Sequence, residues 1–345
     1  MIQLSIITPV YNVEKYIRAC IESMFQQGLR EDLFEVIIVN DGTKDRSMEV
    51  VQDLIELHRN IRVINQERQG SSVARNNGIA AAKGEYILMS DPDDLLIENS
   101  LKPLLEKALE TKVDIVLADY LLMKNEDIAS LKTHPIQRST DIPFIEKTGK
   151  KLFMEDIDTN KTYIWRILYR KDFLIQQHIA FIPGIYVQDK PFIYESYIKA
   201  NNCLKVSWPI YIYRKHSEGI SFSMSEKYAK DYSIAISKMW ELTSLPLIST
   251  EQKHRMIEYT YKTTQTFIRR LIYELKDRHK SIKVLVYLSQ VAPQMDFRQS
   301  LKQRILSNML KKAPRTLLNI YYIYINIYEN RISPFIKHHL IRYLK

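Results

Sequence analysis

The first half of the chain alternates between short apolar runs and amphipathic stretches, and few folds accommodate such an alternation. The amphipathic stretches place apolar residues at helical spacings of three and four, which predicts helices between the runs. Strands that alternate with helices form a largely parallel sheet with helices on both faces. Pro9 is expected to end the first strand. The sequence therefore predicts an α/β fold with a mostly parallel, Rossmann-like sheet, whose strands are expected at Leu4–Thr8, Phe34–Val39, Ile61–Ile64, Tyr86–Met89 and Asp114–Ala118.

Three carboxylates, Asp91, Asp93 and Asp94, follow the fourth predicted strand directly. Ligands of open α/β sheets bind at the carboxyl ends of the strands, so the cluster stands where a ligand is expected. Carboxylate oxygens suit magnesium or manganese, which usually keep waters and bind substrate phosphates as well. The same residues also fit a solvated acidic turn, because Asp and Pro both favour turns. This segment alone therefore leaves a metal site and a turn equally open.

The usual phosphate-binding loops are missing from the sequence. The first strand runs into the segment Thr8–Asn12, which lacks the glycines of a dinucleotide-binding turn. No Walker-type loop occurs either. Phosphates would therefore be met by something else, and a metal on the aspartates is the available candidate.

Two further segments favour a nucleotide site. Asp41 stands at the tip of the second strand, where a carboxylate can accept hydrogen bonds from a base or a ribose hydroxyl. Asp45 and Ser47 are explained as helix caps, which leaves Asp41 without a structural reason. The segment Gln69–Gly78 opens a helix whose free amides suit an anion. Arg75, one turn into that helix, either pairs with a carboxylate or a phosphate or is simply a solvated charge.

These segments resemble the four successive motifs of the family 2 glycosyltransferases, in the order and at the spacing of that family. The matching segments are Thr8–Asn12, Val39–Asp45, Gly70–Asn76 and Ser90–Asp94. Four ordered motifs are far more specific than one short match. The resemblance is strong over residues 1–125, continues more loosely through 165–173 and 187–192, and ends at 213–221. It implies the GT-A fold and inversion of configuration at the anomeric carbon of a nucleotide-activated sugar.

The resemblance also implies roles for the matching residues, with Asp93 as the ligand of a divalent ion, Mn²⁺ or Mg²⁺, that bridges the diphosphate. Arg166 stands where the family more often has Asn, which leaves the acceptor side open. The residues implied to bind the nucleotide sugar are Thr8, Pro9 and Tyr11 beside the base, Asp41 on the base, Arg75 in the nucleotide site, Asp91 towards the ribose, Asp94 near the donor sugar, and Trp165 near the sugar or the acceptor.

Asp189 matches the position of the family's catalytic base, although Gln188 precedes it where the family often has Glu. The chemistry needs such a group, because a carboxylate that takes the proton of the acceptor hydroxyl contributes roughly 10²–10⁴-fold. A divalent cation stabilises the leaving diphosphate, so one base and one metal suffice for a single inverting displacement. Glu195 is the second candidate for the base.

Arg214 and His216 follow the apolar run Ile210–Tyr213. A basic loop at this point would close over the diphosphate once the donor has bound. A polar turn between two structural elements explains the same residues equally well.

Length and charge indicate a second region after the sheet domain. We expect a GT-A domain at residues 1–225, with a nucleotide-binding half at 1–125 and an acceptor-side half at 126–225, followed by a basic helical extension at 226–345. The last 95 residues hold 19 Lys and Arg against 6 Asp and Glu, a net of +13, whereas the whole chain carries +10. The basic excess therefore lies in the extension.

The extension combines basic amphipathic and tyrosine-rich segments. Helices are expected at Tyr261–Leu275 and Ser281–Val291; Leu301–Lys312 is basic and amphipathic, and Leu317–Tyr328 is too short for the ~20 residues of a spanning helix. This pattern predicts peripheral contact with an anionic membrane surface. The alternative is a helical subdomain whose tyrosines pack against the sheet or in a homodimer. No nucleic-acid partner is expected, because no motif for one is present.

Cys20 and Cys203 lie in apolar settings and form no framework of paired cysteines, which fits a reducing compartment. The sequence shows no signal peptide before the first strand and no spanning segment. We therefore expect a cytoplasmic protein, or one peripheral on the inner face of the cell membrane.

The expected function is an inverting hexosyl- or N-acetylhexosaminyltransferase. It would move a sugar from a nucleoside diphosphate, UDP first, to a hydroxyl of a glycan or lipid-linked acceptor in extracellular or capsular polysaccharide or lipopolysaccharide synthesis. One alternative is a haloacid-dehalogenase-like phosphatase. The Asp-x-Asp motif of those enzymes has Thr or Val two positions after the second Asp, where this chain has Leu95. The other is an inactive nucleotide- or glycan-binding module, against which the presence of Asp91, Asp93 and Asp189 argues.

Overall fold

The computed structural model describes residues 1–128, 143–158, 162–215 and 224–331. The chain divides into two compact units, Met1–Gly219 and Ile220–Lys345. The boundary predicted from the sequence lies a few residues later, between 225 and 226. The division of the first domain into halves at residue 125 stays a prediction.

A single mixed sheet forms the centre of the first unit. Its order across the described strands is β3-β2-β1-β4-β8-β6-β9-β5, and β7 also pairs with β9. The strands are β1 Leu4–Val10, β2 Phe34–Asn40, β3 Ile61–Asn65, β4 Tyr86–Met89, β5 Leu95–Leu96, β6 Ile115–Lys124, β7 Ile145–Thr148, β8 Ile167–Arg170 and β9 Asn202–Lys215.

The predicted parallel arrangement holds in the half of the sheet formed by β1 to β4. These four strands are parallel in the order β3-β2-β1-β4, so their carboxyl ends share one edge. Beyond β4 the sheet is mixed, because β8 runs antiparallel between β4 and β6, and β9 pairs in parallel with β6. The α/β fold predicted from the alternation is confirmed.

The helices of the first unit lie between the strands, as the periodicity predicts. The second helix is short, and Leu57 at its end is 71% exposed. The helices are α1 Ile17–Phe25, α2 Gln52–Leu57, α3 Ser71–Ala81, α4 Leu101–Thr111, α5 Asn125–Ile128, α6 Gly149–Glu155, α7 Lys171–Gln176 and α8 Asp189–Lys199, with 3₁₀ turns at Glu49–Val51 and Ile164–Arg166.

The expected break of the first strand at Pro9 is wrong. β1 continues to Val10, and Pro9 pairs with Val39 of β2. On the other side of β1 the β4 ladder ends at the pair of Ile7 and Met89. Pro9 lies beyond that last pair, where a proline is tolerated because no neighbouring strand needs its missing N–H.

The second unit is helical, and the helices predicted in the extension are confirmed. The long helix α10, Thr250–Arg270, begins with a capping box between Ser249 and Gln252. Buried side chains such as Phe267, Leu285 and Leu318 fill the space between the helices. The helices are α9 Glu226–Glu241, α10 Thr250–Arg270 with a π-helical turn at Leu271–Leu275, α11 Arg278–Val291, α12 Leu301–Lys312 and α13 Pro314–Arg331. Within the described residues, none of the helices has the length and apolar character needed to cross a membrane.

Candidate active site

The parallel strands deliver the predicted nucleotide-binding residues to one edge of the sheet. Thr8 lies near the end of β1, fully buried, and its hydroxyl has no hydrogen-bond partner within the described residues. The amide of Asp41, after β2, donates to the carbonyl of Val10 at 3.0 Å. The carboxylate cluster follows β4, which lies on the other side of β1. The fold therefore brings the first, second and fourth motifs together.

Asp41 holds the loop that leads into α3. Its buried carboxylate accepts hydrogen bonds from Gln66 Nε2 at 2.8 Å, the amide of Gln69 at 2.7 Å and the amide of Gly70 at 2.9 Å. Gly70 has a φ of 92°, a conformation that favours glycine. Asp41 therefore has a structural role that the sequence did not reveal. If it also contacts a base, as predicted, the same carboxylate would serve both purposes.

The sequence motifs do not identify Arg68 as a site residue, because it lies just outside the third motif. Its guanidinium carbon stands 4.0 Å from the centroid of the Tyr11 ring, within cation–π range. The loop fixed by Asp41 carries Arg68 to this place. A nucleotide base that packs against Tyr11 would therefore contact a ring that already forms a cation–π interaction with Arg68.

Arg75 is not a solvated charge. Its side chain is buried, and Nη2 lies 2.5 Å from Oδ1 of Asp91. Burial raises the pKa of Asp91, Arg75 opposes the shift and the charge of Asp93 adds to it. α3 thus brings a fixed cation to the carboxylate cluster.

Asp94 is the most buried of the three carboxylates, with 1% of its surface exposed. Its Oδ1 accepts a hydrogen bond from the amide of Arg214 at 2.7 Å, and Oδ2 has no partner within the described part of the chain. Burial, helped by Asp93 and Asp91, raises the pKa of Asp94 to about 9. A solvated acidic turn does not describe this segment.

The donor set fits a divalent ion. Asp93 is only partly buried and lies beside two carboxylates whose charges oppose ionisation of one another. The described residues contain no group of three or more His, Cys, Asp or Glu side chains placed so that they could hold a metal ion on their own. Magnesium normally needs one or two carboxylates and takes its other ligands from phosphates and water. Asp93 and its neighbours therefore suit an ion that arrives with a diphosphate.

The start of α3 also positions the segment that precedes Asp189. The amide of Gln188 donates through Nε2 to Ser71 Oγ at 2.8 Å, and Ser72 Oγ donates to the carbonyl of Ile185 at 2.6 Å. Gln188, which replaces the more common acidic residue, thus ties the first turn of α8 to α3. The same helix carries Arg75, so one element orients both sides of the site.

Asp189 begins α8 and is partly buried. Burial raises the pKa of Asp189 to about 7, with Arg75 opposing the shift and Asp91 adding to it. Because the charges of Arg75 and Asp91 both act on its pKa, Asp189 lies near this pair, although it is distant from both residues in sequence. A carboxyl with a pKa near neutrality has the proton affinity that a general base requires.

Glu195, the second candidate for the base, is held in a structural ion pair. It lies in the same helix as Asp189 and forms an ion pair with Lys199 at 2.7 Å. Lys199 also donates to the carbonyl of Gln177 at 2.7 Å, so this pair joins α8 to the end of α7. Six residues are not a whole number of helical turns, so Glu195 and Asp189 lie on different faces of α8.

Trp165 lies inside an aromatic cluster that consists of Tyr120, Tyr163, Trp165, Tyr211 and Tyr213. The indole is 2% exposed and is stacked between Tyr211, at 4.2 Å, and Tyr163, at 4.7 Å. The hydroxyl of Tyr211 accepts a hydrogen bond from the amide of Asp91 at 2.9 Å. Trp165 therefore supports the carboxylate segment from behind, and the partly buried tyrosines around it offer the surface that a sugar would meet.

Arg214 lies in β9 and not in a turn. It is buried, its Nη1 donates to Asn125 Oδ1 at 2.9 Å, and its guanidinium carbon stands 5.1 Å from the Tyr16 ring centroid. Nε and Nη2 have no hydrogen-bond partner within the described residues. A buried guanidinium with two unsatisfied donors, on a residue whose amide contacts Asp94, is suited to bind an anion. His216, predicted beside it, lies outside the described residues.

Comparison with known proteins identifies the family of the chain. The sequence model described as Glycosyl transferase family 2 matches residues 5–171. Over 249 residues the chain is 31% identical to the uncharacterized glycosyltransferase EpsJ of Bacillus subtilis, covering 68% of this chain and 69% of that protein.

Solved structures show the same fold. The S. aureus protein TarS, residues 1–349, in complex with UDP-GlcNAc has a TM-score of 0.67 at 20% identity, with 93% of this chain and 92% of that chain covered. A mannosyltransferase from Pyrobaculum calidifontis, in complex with GDP-Man and Mn²⁺, has a TM-score of 0.52 at 12% identity, with 95% and 87% covered. The fold is GT-A, the chain is a glycosyltransferase, and it belongs to glycosyl transferase family 2.

Proposed function

We propose that the protein transfers a hexose or an N-acetylhexosamine, with inversion, from a UDP-sugar to a hydroxyl of a glycan or lipid-linked acceptor in the synthesis of a surface polysaccharide. The observation that carries the proposal is the position of Asp189. Its carboxyl has a pKa raised to about 7 and stands near the Arg75–Asp91 pair, which borders the predicted diphosphate site. A base and a charge-stabilising site are the two parts that a single displacement needs.

The donor side of the site follows from the ends of β1, β2 and β4. The base would lie against Tyr11 and Arg68, with Asp41 holding the loop between them. The likeness to TarS in complex with UDP-GlcNAc supports a uridine nucleotide and an N-acetylhexosamine as the first donor to test. The free Nε and Nη2 of Arg214 would neutralise the diphosphate.

Asp93, with Asp91 beside it, would hold Mn²⁺ or Mg²⁺. When bound, such an ion supplies positive charge that stabilises the leaving diphosphate. The mannosyltransferase in complex with Mn²⁺ supports this assignment. The protein's own contribution is a fixed arrangement of charges, because Arg75 and the hydrogen bond from the Asp91 amide to Tyr211 keep Asp91 in place.

On the acceptor side, Asp189 would accept the proton of the attacking hydroxyl as the new glycosidic bond forms. Tyr211 and Trp165 would keep the cleft floor rigid, and the partly buried tyrosines of the aromatic cluster would face the sugars. An acceptor bound over these groups would exclude water from the base, which favours transfer to the acceptor over hydrolysis.

The second unit offers a surface suited to the inner face of a membrane. α12 and α13 bury one side of each helix through residues such as Leu310 and Leu318, so packing accounts for those sides. Other apolar residues of the two helices are exposed, among them Leu301 at 67% and Ile323 at 58%. Exposed cations accompany them on the same helices, at Lys302, Arg304, Lys311, Lys312 and Arg315. Apolar side chains among cations match an anionic lipid surface, so we place the enzyme at the cytoplasmic face.

Donor binding and slow donor hydrolysis test the proposed function without a known acceptor. The parent protein should bind UDP in calorimetry only when Mn²⁺ or Mg²⁺ is present and should release sugar from at least one UDP-sugar. Asp189→Asn should keep that binding and lose roughly 10²-fold or more in release, whereas Glu195→Gln should stay within a few-fold. Equal loss in both variants would contradict the choice of base. Hydrolysis of p-nitrophenyl phosphate without donor turnover would favour a phosphatase, and binding without any turnover an inactive module.

A further inference from the structure

Within the described residues Arg166 forms no ion pair, unlike three other arginines of the first unit. Arg62 pairs with Glu35, Arg75 with Asp91 and Arg170 with Asp114. The guanidinium of Arg166 forms no hydrogen bond or ion pair within the residues that the structure describes, and its Nε is buried. Burying part of a guanidinium without a counter-charge is costly, and an anionic ligand would offset that cost.

The position of Arg166 is set by the strand that follows it. Arg166 ends the 3₁₀ turn directly before β8, and Leu168, two residues later, pairs with Leu88 of β4, two residues before Ser90. The guanidinium carbon of Arg166 stands 5.8 Å from the centroid of the Tyr120 ring, at the edge of the aromatic cluster. Arg166 therefore borders the cleft beside the carboxylate segment.

Arg166 also lies close to residues that surround the base. Burial raises the pKa of the Tyr169 hydroxyl, the charge of Asp189 adds to that shift and Arg166 opposes it, so both charges lie near one hydroxyl. Burial likewise raises the pKa of Tyr197 in α8, and Arg166 opposes it there too. The acceptor hydroxyl must come within hydrogen-bond reach of Asp189. A cation near Asp189 is therefore close to any acceptor whose hydroxyl reaches that carboxylate.

We infer that Arg166 binds an anionic group of the acceptor, a phosphate or a carboxylate, close to the hydroxyl that attacks the donor sugar. The inference rests on the proposed function and adds a substrate class to it. The planar fork of Arg matches the two oxygens of either anion in a bidentate way. Arg214, whose backbone amide donates to Asp94 and whose Nε and Nη2 lack a partner within the described residues, would serve the donor diphosphate, so Arg166 and Arg214 would divide between the two substrates.

The test uses three small probes with the full-length protein saturated with UDP and Mg²⁺: glucose 1-phosphate, glucuronate and the neutral methyl glucoside. Saturation-transfer NMR titrations give a dissociation constant for each probe. With the parent protein, one of the two anions should bind about 10-fold more tightly than the neutral sugar, as a charge-assisted hydrogen bond implies. The preferred anion identifies whether the acceptor group is a phosphate or a carboxylate.

Arg166→Gln should remove that preference and Arg166→Lys should keep part of it, since Lys retains the charge without the fork. Lys102→Gln, which removes an exposed cation on α4, should leave the preference unchanged. UDP binding by each variant reports on its fold. A parent protein that binds UDP but shows no preference for either anion, or an Arg166→Gln variant that keeps the preference, would overturn the inference. Failure of the parent to bind UDP would instead refute the proposed donor site.

Discussion

The sharpest consequence of the site is that Arg75 controls the pH at which Asp189 becomes active as a base. Burial raises the pKa of Asp189 from an ordinary 3.8 to about 7, and Arg75 opposes that shift. The base is protonated below its pKa, so donor hydrolysis should fall as pH drops below neutrality. Replacing Arg75 with Gln removes the opposing charge, so the pKa of Asp189 should rise and the acid limb should move to higher pH.

The size of the shift can be bounded from the contacts. An opposite charge within about 4–6 Å lowers a carboxyl pKa by about 1–3 units. Asp91 takes the direct contact with Arg75, at 2.5 Å, so the smaller end applies to Asp189. Loss of Arg75 also favours protonation of Asp91, whose charge raises the pKa of Asp189, and this partly offsets the effect. We therefore expect a shift of about one unit, or ~1.4 kcal/mol.

The assay is the rate of sugar release at saturating donor, measured against pH in the same metal ion for parent and variant, because a bound cation lowers both midpoints. At pH 7 Arg75→Gln should be several-fold slower, and it should recover relative to the parent towards pH 9. Arg62→Gln breaks a comparable pair with Glu35 at a distance from the base and should leave the midpoint unchanged. An acid limb of Arg75→Gln that stays in place or moves to lower pH would refute the reasoning.

Three further predictions concern the metal, the nucleotide loop and the second unit. Asp93→Ala should abolish metal-dependent UDP binding in calorimetry, whereas Asp119→Ala, at an exposed position of β6, should not; undiminished binding in Asp93→Ala would remove Asp93 as the ligand. Asp41→Ala leaves three donors of the loop without an acceptor and should lower the free energy of unfolding by about 2–4 kcal/mol in urea denaturation. A change below 1 kcal/mol would contradict that role, taking about 1 kcal/mol as the net worth of one hydrogen bond. Full-length protein should co-sediment with anionic vesicles less at high salt, and Ile323→Ser combined with Leu301→Ser should weaken binding further. No binding by the parent would favour a packing or dimer-forming role for these helices.

The four motifs and the strands β1 to β4 could be predicted because their information is local. Each motif follows its own strand, and parallel strands bring their carboxyl ends to one edge without further knowledge. The error at Pro9 has the opposite origin. Whether a proline ends a strand depends on how far the neighbouring strand extends, and β4 ends before it reaches Pro9.

The contacts that complete the site join distant parts of the chain, and no local pattern predicts them. Gln188 meets Ser71, and Asp41 meets the segment before α3. The resemblance implies a position near the sugar for Trp165, but its burial depends on stacking with Tyr211 of β9. The sequence marks Arg166 as unusual for its motif, but only the structure shows that its guanidinium lacks a hydrogen bond and an ion pair within the described residues.

The stereochemistry of the first turnover tests the central claim most directly. ¹H NMR can follow the anomeric proton of the sugar that the parent protein releases from a UDP-α-sugar, before mutarotation mixes the anomers. A single displacement assisted by Asp189 predicts that the β anomer appears first, and that Asp189→Asn releases it at least about 10²-fold more slowly. Initial release of the α anomer, or an unchanged rate in Asp189→Asn, would contradict the account.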